Sequence, residues 1–497
     1  MNISIEHYAN QEHGQNGGAF GATSQEDLGN LLKALEAKEV TGRDTTNLTG
    51  QSGDPLKLES LEKTLKVLTF KENDIVFWKR IPKKPAFNTV EEYNQLVSYG
   101  VDRGGFQREG ELPEEETSET IRRAQLVKFM GTTRSVTLPM AMVRIQQAAG
   151  SATEFEIKNG TQWLLRKANK SLYFGDETLI PEEFNGLLAQ QQRSDIYSDY
   201  NAYMTSDQVI DLRGKALTEN AIEDACNTVV ENFGLIDQMY GAPKVLSGFV
   251  QRFYGNKFIQ PNTPSLQSGI MGQRVKSFES QFGEVGLQKD IFFNKYPSKK
   301  LSNGATSNKA PATPTASGGV VPVGSDALGK WTSADAGNYF YAVSAWNRYG
   351  ESALKLVEAT TSAVVAGGAV DLTFTATAGP YATNAYMVYR SEKDVAASTG
   401  TFHPLFMVSA AELASGYDGA TNGSVRDRNR FLNDCDQAML IQEDNEVLEF
   451  GQLAPLMKLD LAITSPAYRF LIMMYGTPFL YAPKKMVRII NIGKSYS

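Results

Sequence analysis

Residues 151–175 constrain the fold more than any other stretch, because they read as one unbroken helix. Ser151 and Glu154 form a capping box, in which each side chain accepts the other residue's backbone N–H. Glu154 and Glu156 stand at the positive end of the helix dipole, and Arg166, Lys167 and Lys170 stand toward its negative end. Ile157, Leu164, Ala168 and Leu172 make an apolar stripe, and Gly175 supplies the stop. About 23 residues at roughly 1.5 Å of rise each give a rod of about 35 Å, long for a globular helix, with one strongly basic face.

Upstream the chain looks less like a packed domain. Residues 1–54 are rich in Gly, Asn, Gln, Ser and Thr and read as a flexible region. Within it Leu28, Leu31, Leu32 and Leu35 mark a helix over Ser24–Glu39 that needs a partner. Residues 55–100 give a short helix, Leu56–Leu65, then an extended stretch through Val76, Phe77 and Trp78. Pro82 and Pro85 forbid a central strand there, so the segment reads as an arm lying across other protein surface. Residues 101–140 put two extended flanks around a tip carrying Glu109, Glu111, Glu114, Glu115, Glu116 and Glu119. Its plain reading is a solvated acidic loop, yet an excursion this long is uncommon in a compact domain unless it has a task.

Downstream, Asn220 and Glu223 pair as caps of a helix to Phe233, closed by Gly234, with Ile222, Ala225, Cys226, Val229 and Phe233 on its buried stripe. Residues 302–330 change to Asn, Gly, Ala, Thr, Ser and Pro, a linker signature. Short alternating runs follow: Tyr339, Tyr341, Val343 and Ala345; Val370, Leu372, Phe374 and Ala376; and Ala385–Arg390. Short strands between Gly-rich turns read as a β-sandwich. After about residue 435 the composition returns to that seen before 300, so the β-rich part reads as inserted into a larger α+β body.

Chemistry is conspicuous by what is missing. The net charge of −7 argues against a broad basic face that grips nucleic acid, though not against a protein that encloses it. Cys226 and Cys435 are the only cysteines and read as ordinary thiols of a reducing cytoplasm. Met1–Gln11 lacks a signal-peptide pattern, and the most apolar run, Phe470–Ala482, is short and broken by Gly476 and Pro478, so no membrane span is expected. Of the three histidines, His7 and His13 fall in the N-terminal region and His403 in a loop of the β-rich part. The sequence contains no His-Glu-x-x-His, no Cys-x-x-Cys, no P-loop and no nucleophile elbow. No catalytic, cofactor-binding or metal-ligating residue is assigned, no cofactor is expected, and the chain is not expected to be an enzyme.

The order of flexible arm, acidic extended loop, long capped helix, α+β body, inserted sandwich and returning strands resembles the major capsid protein fold of tailed bacteriophages, the Johnson-type capsid fold. The resemblance is carried by Ala152–Asp176 as spine helix and exit turn, Ile180–Leu188, Leu217–Asp224, Lys244–Phe249, Leu456–Ala462 and Tyr481–Asn491. It implies a flexible region 1–54, an N-terminal arm 55–100, an extended loop 101–140, a peripheral domain 141–217, an axial domain 218–301 and a return to the body at 433–497. The insertion at 302–432 resembles a fibronectin type III or immunoglobulin-like module, with a late-type strand ahead of the early ones.

The implied function is a shell protein that assembles as hexamers and pentamers into an icosahedral head in the host cytoplasm. It would enclose double-stranded DNA without reading its sequence, alongside scaffolding, portal and decoration proteins, and would be found in the virion. In that family the extended loop lies over an adjacent subunit, so the six tip glutamates are candidate contacts for Arg166, Lys167 and Lys170. Nothing marks Lys128, in the loop region, as a reactive cross-linking residue. The alternatives are an encapsulin-type compartment shell and, from another class, a carbohydrate-active protein bearing a fibronectin-like module.

Overall fold

A computed structural model describes residues 69–100, 106–112, 115–142, 151–192, 208–251, 275–293, 296–358, 362–397, 399–463 and 465–493. These belong to one compact unit, 67–143 with 151–497. The helices expected at Ser24–Glu39 and Leu56–Leu65 lie outside the described residues, as do Glu114, His7 and His13.

The strands run in chain order as β1 (Lys83–Pro85), β2 (Val90–Ser98), β3 (Glu119–Leu126), β4 (Lys128–Thr137), β5 (Val209–Asp211), β6 (Gln238–Gly241), β7 (Ser277–Ser280) and β8 (Gly283–Lys289). The β-rich part adds β9 (Thr315–Val323), β10 (Gly337–Tyr339), β11 (Tyr341–Asn347), β12 (Gly350–Glu351), β13 (Lys355–Leu356), β14 (Ser362–Val364), β15 (Ala369–Thr375), β16 (Ala385–Ser391), β17 (Phe402–Ser409) and β18 (Ser424–Asp427). The chain closes with β19 (Asp436–Ile441), β20 (Leu448–Asp460), β21 (Ala467–Leu480) and β22 (Met486–Ile492).

The long helix spans Ala152–Phe174, with the Ser151–Glu154 capping box formed in both directions at 3.3 and 3.2 Å. It lies on a four-stranded sheet ordered β1-β20-β21-β4, burying Leu164, Ala168 and Leu172, while Ile157 is only half-buried. Gly160 permits the close approach, since a Cβ there would stand 2.6 Å from the Ile472 Cδ1. Gly175 ends the helix in extended backbone, φ −57°, and a Cβ would run into the carbonyl oxygens of Ser171 and Phe184. Steric room, and not a left-handed turn, is what this glycine supplies.

A second sheet, ordered β5-β22-β19-β6-β8-β7, carries helices Glu219–Glu231 and Pro243–Gln251 over a core that includes Ile222, Cys226, Val229, Leu246, Leu440 and Ile489. Three expectations for the first helix are corrected. Thr218 caps it, its hydroxyl accepting the Ala221 N–H at 3.3 Å, and the helix stops at Glu231. Phe233, expected on the buried stripe, lies past the helix end and is 94% exposed; it and not a glycine takes the left-handed conformation (φ 61°), while Gly234 is needed because a Cβ would sit 2.7 Å from Val229 Cγ1.

The segment before residue 90 is also corrected, because it buries itself in its own subunit. Phe77–Arg80 forms a helical turn, with Phe77 stacked 4.8 Å from Tyr173 and edge-on to Tyr240 at 4.9 Å, and Trp78 is edge-on to Phe450 at 4.8 Å. These rings fill the wedge between the long helix and the two sheets. The two prolines respect the edge rule, since β1 is the outermost strand and pairs parallel with β20.

In the β-rich part, one sheet runs β12-β11-β16-β17 with β13 beside β11, and another runs β18-β15-β9. They face each other across a core including Tyr341, Val343, Val370, Leu372, Tyr386 and Val388. Alternate residues of β11 and β16 (Ala342, Met387, Tyr389) join Phe402 in a second cluster against Tyr296 and Leu301. The stretch 302–330 is not all linker, because β9 lies in it as an edge strand whose Gly319 (φ 76°) and Pro322 disguise the alternation. His403 lies in β17 and not in a loop. Its Nδ1 is 2.9 Å from the Ser298 Oγ and 4.0 Å from an Asp434 carboxylate oxygen, so the chain enters and leaves this part side by side.

Candidate assembly surface

β2 and β3 pair antiparallel from Val90↔Leu126 to Ser98↔Glu119, forming a ribbon two strands wide. The first strand therefore comes from residues 90–98, inside the span expected to be arm, because Tyr93 and Leu96 alternate with polar residues only weakly. Beyond the ribbon, Phe106 and Leu112 are almost wholly exposed, at 103% and 94%. Glu109, Glu111, Glu115, Glu116 and Glu119 are exposed as well. After Val127 the same run of chain continues as β4, which pairs with β21 from Lys128↔Gly476 to Thr137↔Ala467.

The ribbon thus projects from one end of the four-stranded sheet, and the β20–β21 turn lies at the other. From Glu119 to Thr137 the path covers up to about 60 Å at roughly 3.3 Å per residue. The long helix covers one face of this sheet. On the opposite face exposed Phe129, paired with half-buried Tyr475, begins a surface continued by half-buried Leu471 of β21 and by exposed Met457 and Leu459 of β20, with Met473 buried between them. Phe129 and Leu459 are 60% and 46% exposed. A free face of an antiparallel sheet is ordinarily polar, and an apolar one marks a contact surface. Sequence reasoning singled out Leu456–Ala462 without seeing this face; the period-two spacing of Met457, Leu459 and Leu461 was the available signal.

The three basic residues on the long helix are partly engaged within the subunit. Lys170 sets its ammonium 4.4 Å above the Tyr296 ring, where burial and neighbouring Lys167 hold its pKa below the ordinary lysine value. Arg166 lies 5.2 Å from the Phe70 ring centre, and Lys167 is exposed, 5.9 Å from that of Trp163. Lys128 donates to the Pro181 carbonyl at 2.8 Å and pairs with Glu177 at 3.0 Å.

A buried polar knot ties the helix to the second sheet. Asn169 accepts the Trp78 N–H and donates to Asp290, both at 2.8 Å, and Tyr173 donates to the same carboxylate oxygen at 3.0 Å. Burial pushes the Asp290 carboxyl above the ordinary range despite these donors. Among the described residues no group of three or more His, Cys, Asp or Glu side chains is placed to hold a metal.

Curated relatives include the major capsid proteins of Staphylococcus phages S25-3 and K, each 22% identical over 91% of this chain and 93% of the relative. The putative major capsid protein of Enterococcus phage phiEF24C is 23% identical over the same shares. Solved structures with lower similarity include the mature capsid of bacteriophage PhiM1, 9% identical over 92% of this chain and 97% of that one, with a TM-score of 0.42. Another is the holo-SrpI encapsulin of Synechococcus elongatus PCC 7942, 7% identical over 88% and 94%, also with a TM-score of 0.42. The model of the SU10 major capsid protein family matches residues 40–306, more than half of the sequence, and the chain belongs to that family.

Proposed function

We propose that this phage major capsid protein closes an icosahedral head shell around double-stranded DNA by reaching from each subunit onto the next with the β2–β3 ribbon. One observation carries the reading: the exposed ribbon tip and the uncovered apolar sheet face lie at opposite ends of one strand path. The base of the ribbon is held by Tyr93, edge-on to Tyr481 at 4.9 Å, but a two-stranded ribbon beyond such support is marginal alone, so the ribbon and the apolar face are completed head to tail by further copies. Contacts that are individually modest add up once subunits sit in a lattice.

Within this reading residues 101–140 are the core of the extended loop, 141–217 a peripheral domain, and 218–301 with 433–497 an axial domain and its return. The tip glutamates Glu109, Glu111, Glu114, Glu115, Glu116 and Glu119 meet a neighbour's basic surface, for which Arg166, Lys167 and Lys170 are the candidates. The segment 302–432 is an immunoglobulin- or fibronectin-like insertion. Supporting this are its two facing sheets, the side-by-side crossing at Ser298, His403 and Asp434, and a family match that ends at residue 306. The copies form hexamers and pentamers in the host cytoplasm with scaffolding, portal and decoration proteins, and no enzymatic step is assigned to them. Electron microscopy of the overexpressed, purified protein tests the reading: shells or tubes are expected, and monomers at every concentration and salt would count against it.

A further inference from the structure

We infer that Arg213 and Asn491 are positioning residues that weld the β-rich segment to the body in one fixed orientation, so that it is a rigid part of the subunit and not a tethered module. Arg213 follows β5 in the second sheet, yet its guanidinium reaches two stretches of the β-rich segment that lie far apart in sequence, 330–335 and Asn429. It donates to the Lys330 carbonyl at 2.5 Å, to the Asn429 carbonyl at 2.8 Å and to the Asp335 carboxylate at 3.3 Å. Asn491, near the end of β22, makes the matching contacts from the body's other strand. Its amide donates to Asp211 at 2.7 Å and to the Arg430 carbonyl at 2.8 Å, and its oxygen accepts the Leu432 N–H at 2.9 Å. Lys330 completes the seam with an ion pair to Asp211 at 3.3 Å.

Left-handed backbone also occurs at this seam. Arg213, Asn429 and Asn491 all have positive φ, at 49°, 58° and 54°. Asparagine takes that conformation readily, whereas an arginine does so at a cost that its surroundings must offset. The seam also runs into the core of the β-rich segment. The Asn429 N–H donates to Asp427 at 2.8 Å, and Asp427 accepts from buried Arg390 at 2.8 Å and Tyr341 at 2.9 Å. A second, separate contact, with Tyr296 edge-on to Trp346 at 5.3 Å and Arg348 paired with Glu182 at 3.2 Å, prevents swivelling about the first. A tethered module touches its body at few places besides its linkers, whereas here residues well inside the segment are bonded to the body at two separate places.

The experiment measures orientation directly. Spin labels are placed at Asp224→Cys on the body and Lys355→Cys on the β-rich segment, in full-length chain carrying Cys435→Ser and diluted into excess unlabelled protein. One narrow intramolecular distance is expected for the parent. The Arg213→Ala/Asn491→Ala variant should widen the distribution several-fold, and Lys458→Ala, on the distant β20 strand, should leave it unchanged. A broad parent distribution, or a double variant as narrow as the parent, overturns the inference. Should the double variant lose its fold, Arg213→Lys decides, because an ammonium cannot reproduce the planar fork that holds two carbonyls. Widening then supports the weld, and an unchanged width overturns it.

Discussion

Lys170 holds its ammonium 4.4 Å over the ring of Tyr296, so one of the basic residues expected to meet a neighbouring subunit is already engaged within its own. Tyr296 in turn packs against Trp346 of the β-rich segment. Of the three basic side chains, Lys167 is the exposed one and the best placed to receive a carboxylate from another copy.

That ranking gives the first prediction. Reversing Glu114, Glu115 and Glu116 to lysine should cripple shell assembly while leaving the thermal melt of the unassembled subunit unchanged. Each exposed ion pair contributes only about 0.2–1 kcal/mol, so the effect is read through the lattice and not in one chain. At 1 M salt the Debye length shrinks to about 3 Å, and parent shells should loosen. Adding Lys167→Glu to the triple variant should recover part of the assembly. If the triple variant forms salt-resistant shells like the parent's, the tip is only solvated surface.

The exit of the long helix offers a test of packing. Gly175→Ala brings a methyl group onto the carbonyl oxygens of Phe184 and Ser171, and Gly186→Ala brings one 2.8 Å from the Leu172 carbonyl oxygen. Backbone oxygens cannot yield as side chains do, so each change should destabilise the subunit by about 1–3 kcal/mol. Calorimetry should show a clear drop in melting temperature for both. A melt equal to the parent's would mean that the 175–186 loop is loosely held.

Local signals made the long helix and the central β-rich strands β11, β15 and β16 legible, because a capping box and a period of two lie within a few residues of one another. What sequence reasoning lost depended on distant partners. Phe77 and Trp78 read as an extended arm because Tyr173, Tyr240 and Phe450, which bury them, are far along the chain. β9 was hidden by the glycines and proline that suit an edge strand. The acidic tip was visible as a charge run, whereas the apolar face needs the registers of β4, β20 and β21 before its side chains align. Arg213, a basic residue in a short loop, carried no signal of its role.

Removing the β-rich segment separates folding from positioning. Replacing about 305–430 with a short linker should leave a soluble, folded body that still assembles, because the crossings at Ser298 and Asp434 both lie beside His403. The body should melt at a lower temperature, since Tyr296 and Leu301 lose the cluster that covers them. Circular dichroism and sedimentation check both points. Loss of all soluble protein, with the body unfolded, would show that the segment is required for folding.

Asp290 supplies the last prediction, in which the direction of a pH dependence is fixed by burial. Its carboxyl titrates above the ordinary range in the folded chain, because removal from water outweighs the donors from Asn169, the Phe292 N–H and Tyr173. Between the unfolded and folded pKa values the folded state binds more protons at this site, so its contribution to stability falls as pH rises through that window. Each unit of upward displacement removes about 1.4 kcal/mol. Asp290→Asn does not titrate, and it turns an amide N–H toward donors that require an acceptor, so the variant should be less stable than the parent throughout. Its deficit should be largest near pH 4 and should shrink as pH rises, levelling off once the parent carboxyl has ionised. Melts of the two proteins at matched pH values measure that difference. A deficit that grows with pH would mean that the buried donors hold the Asp290 carboxylate below its ordinary pKa and that the knot at Asn169 favours the charged form.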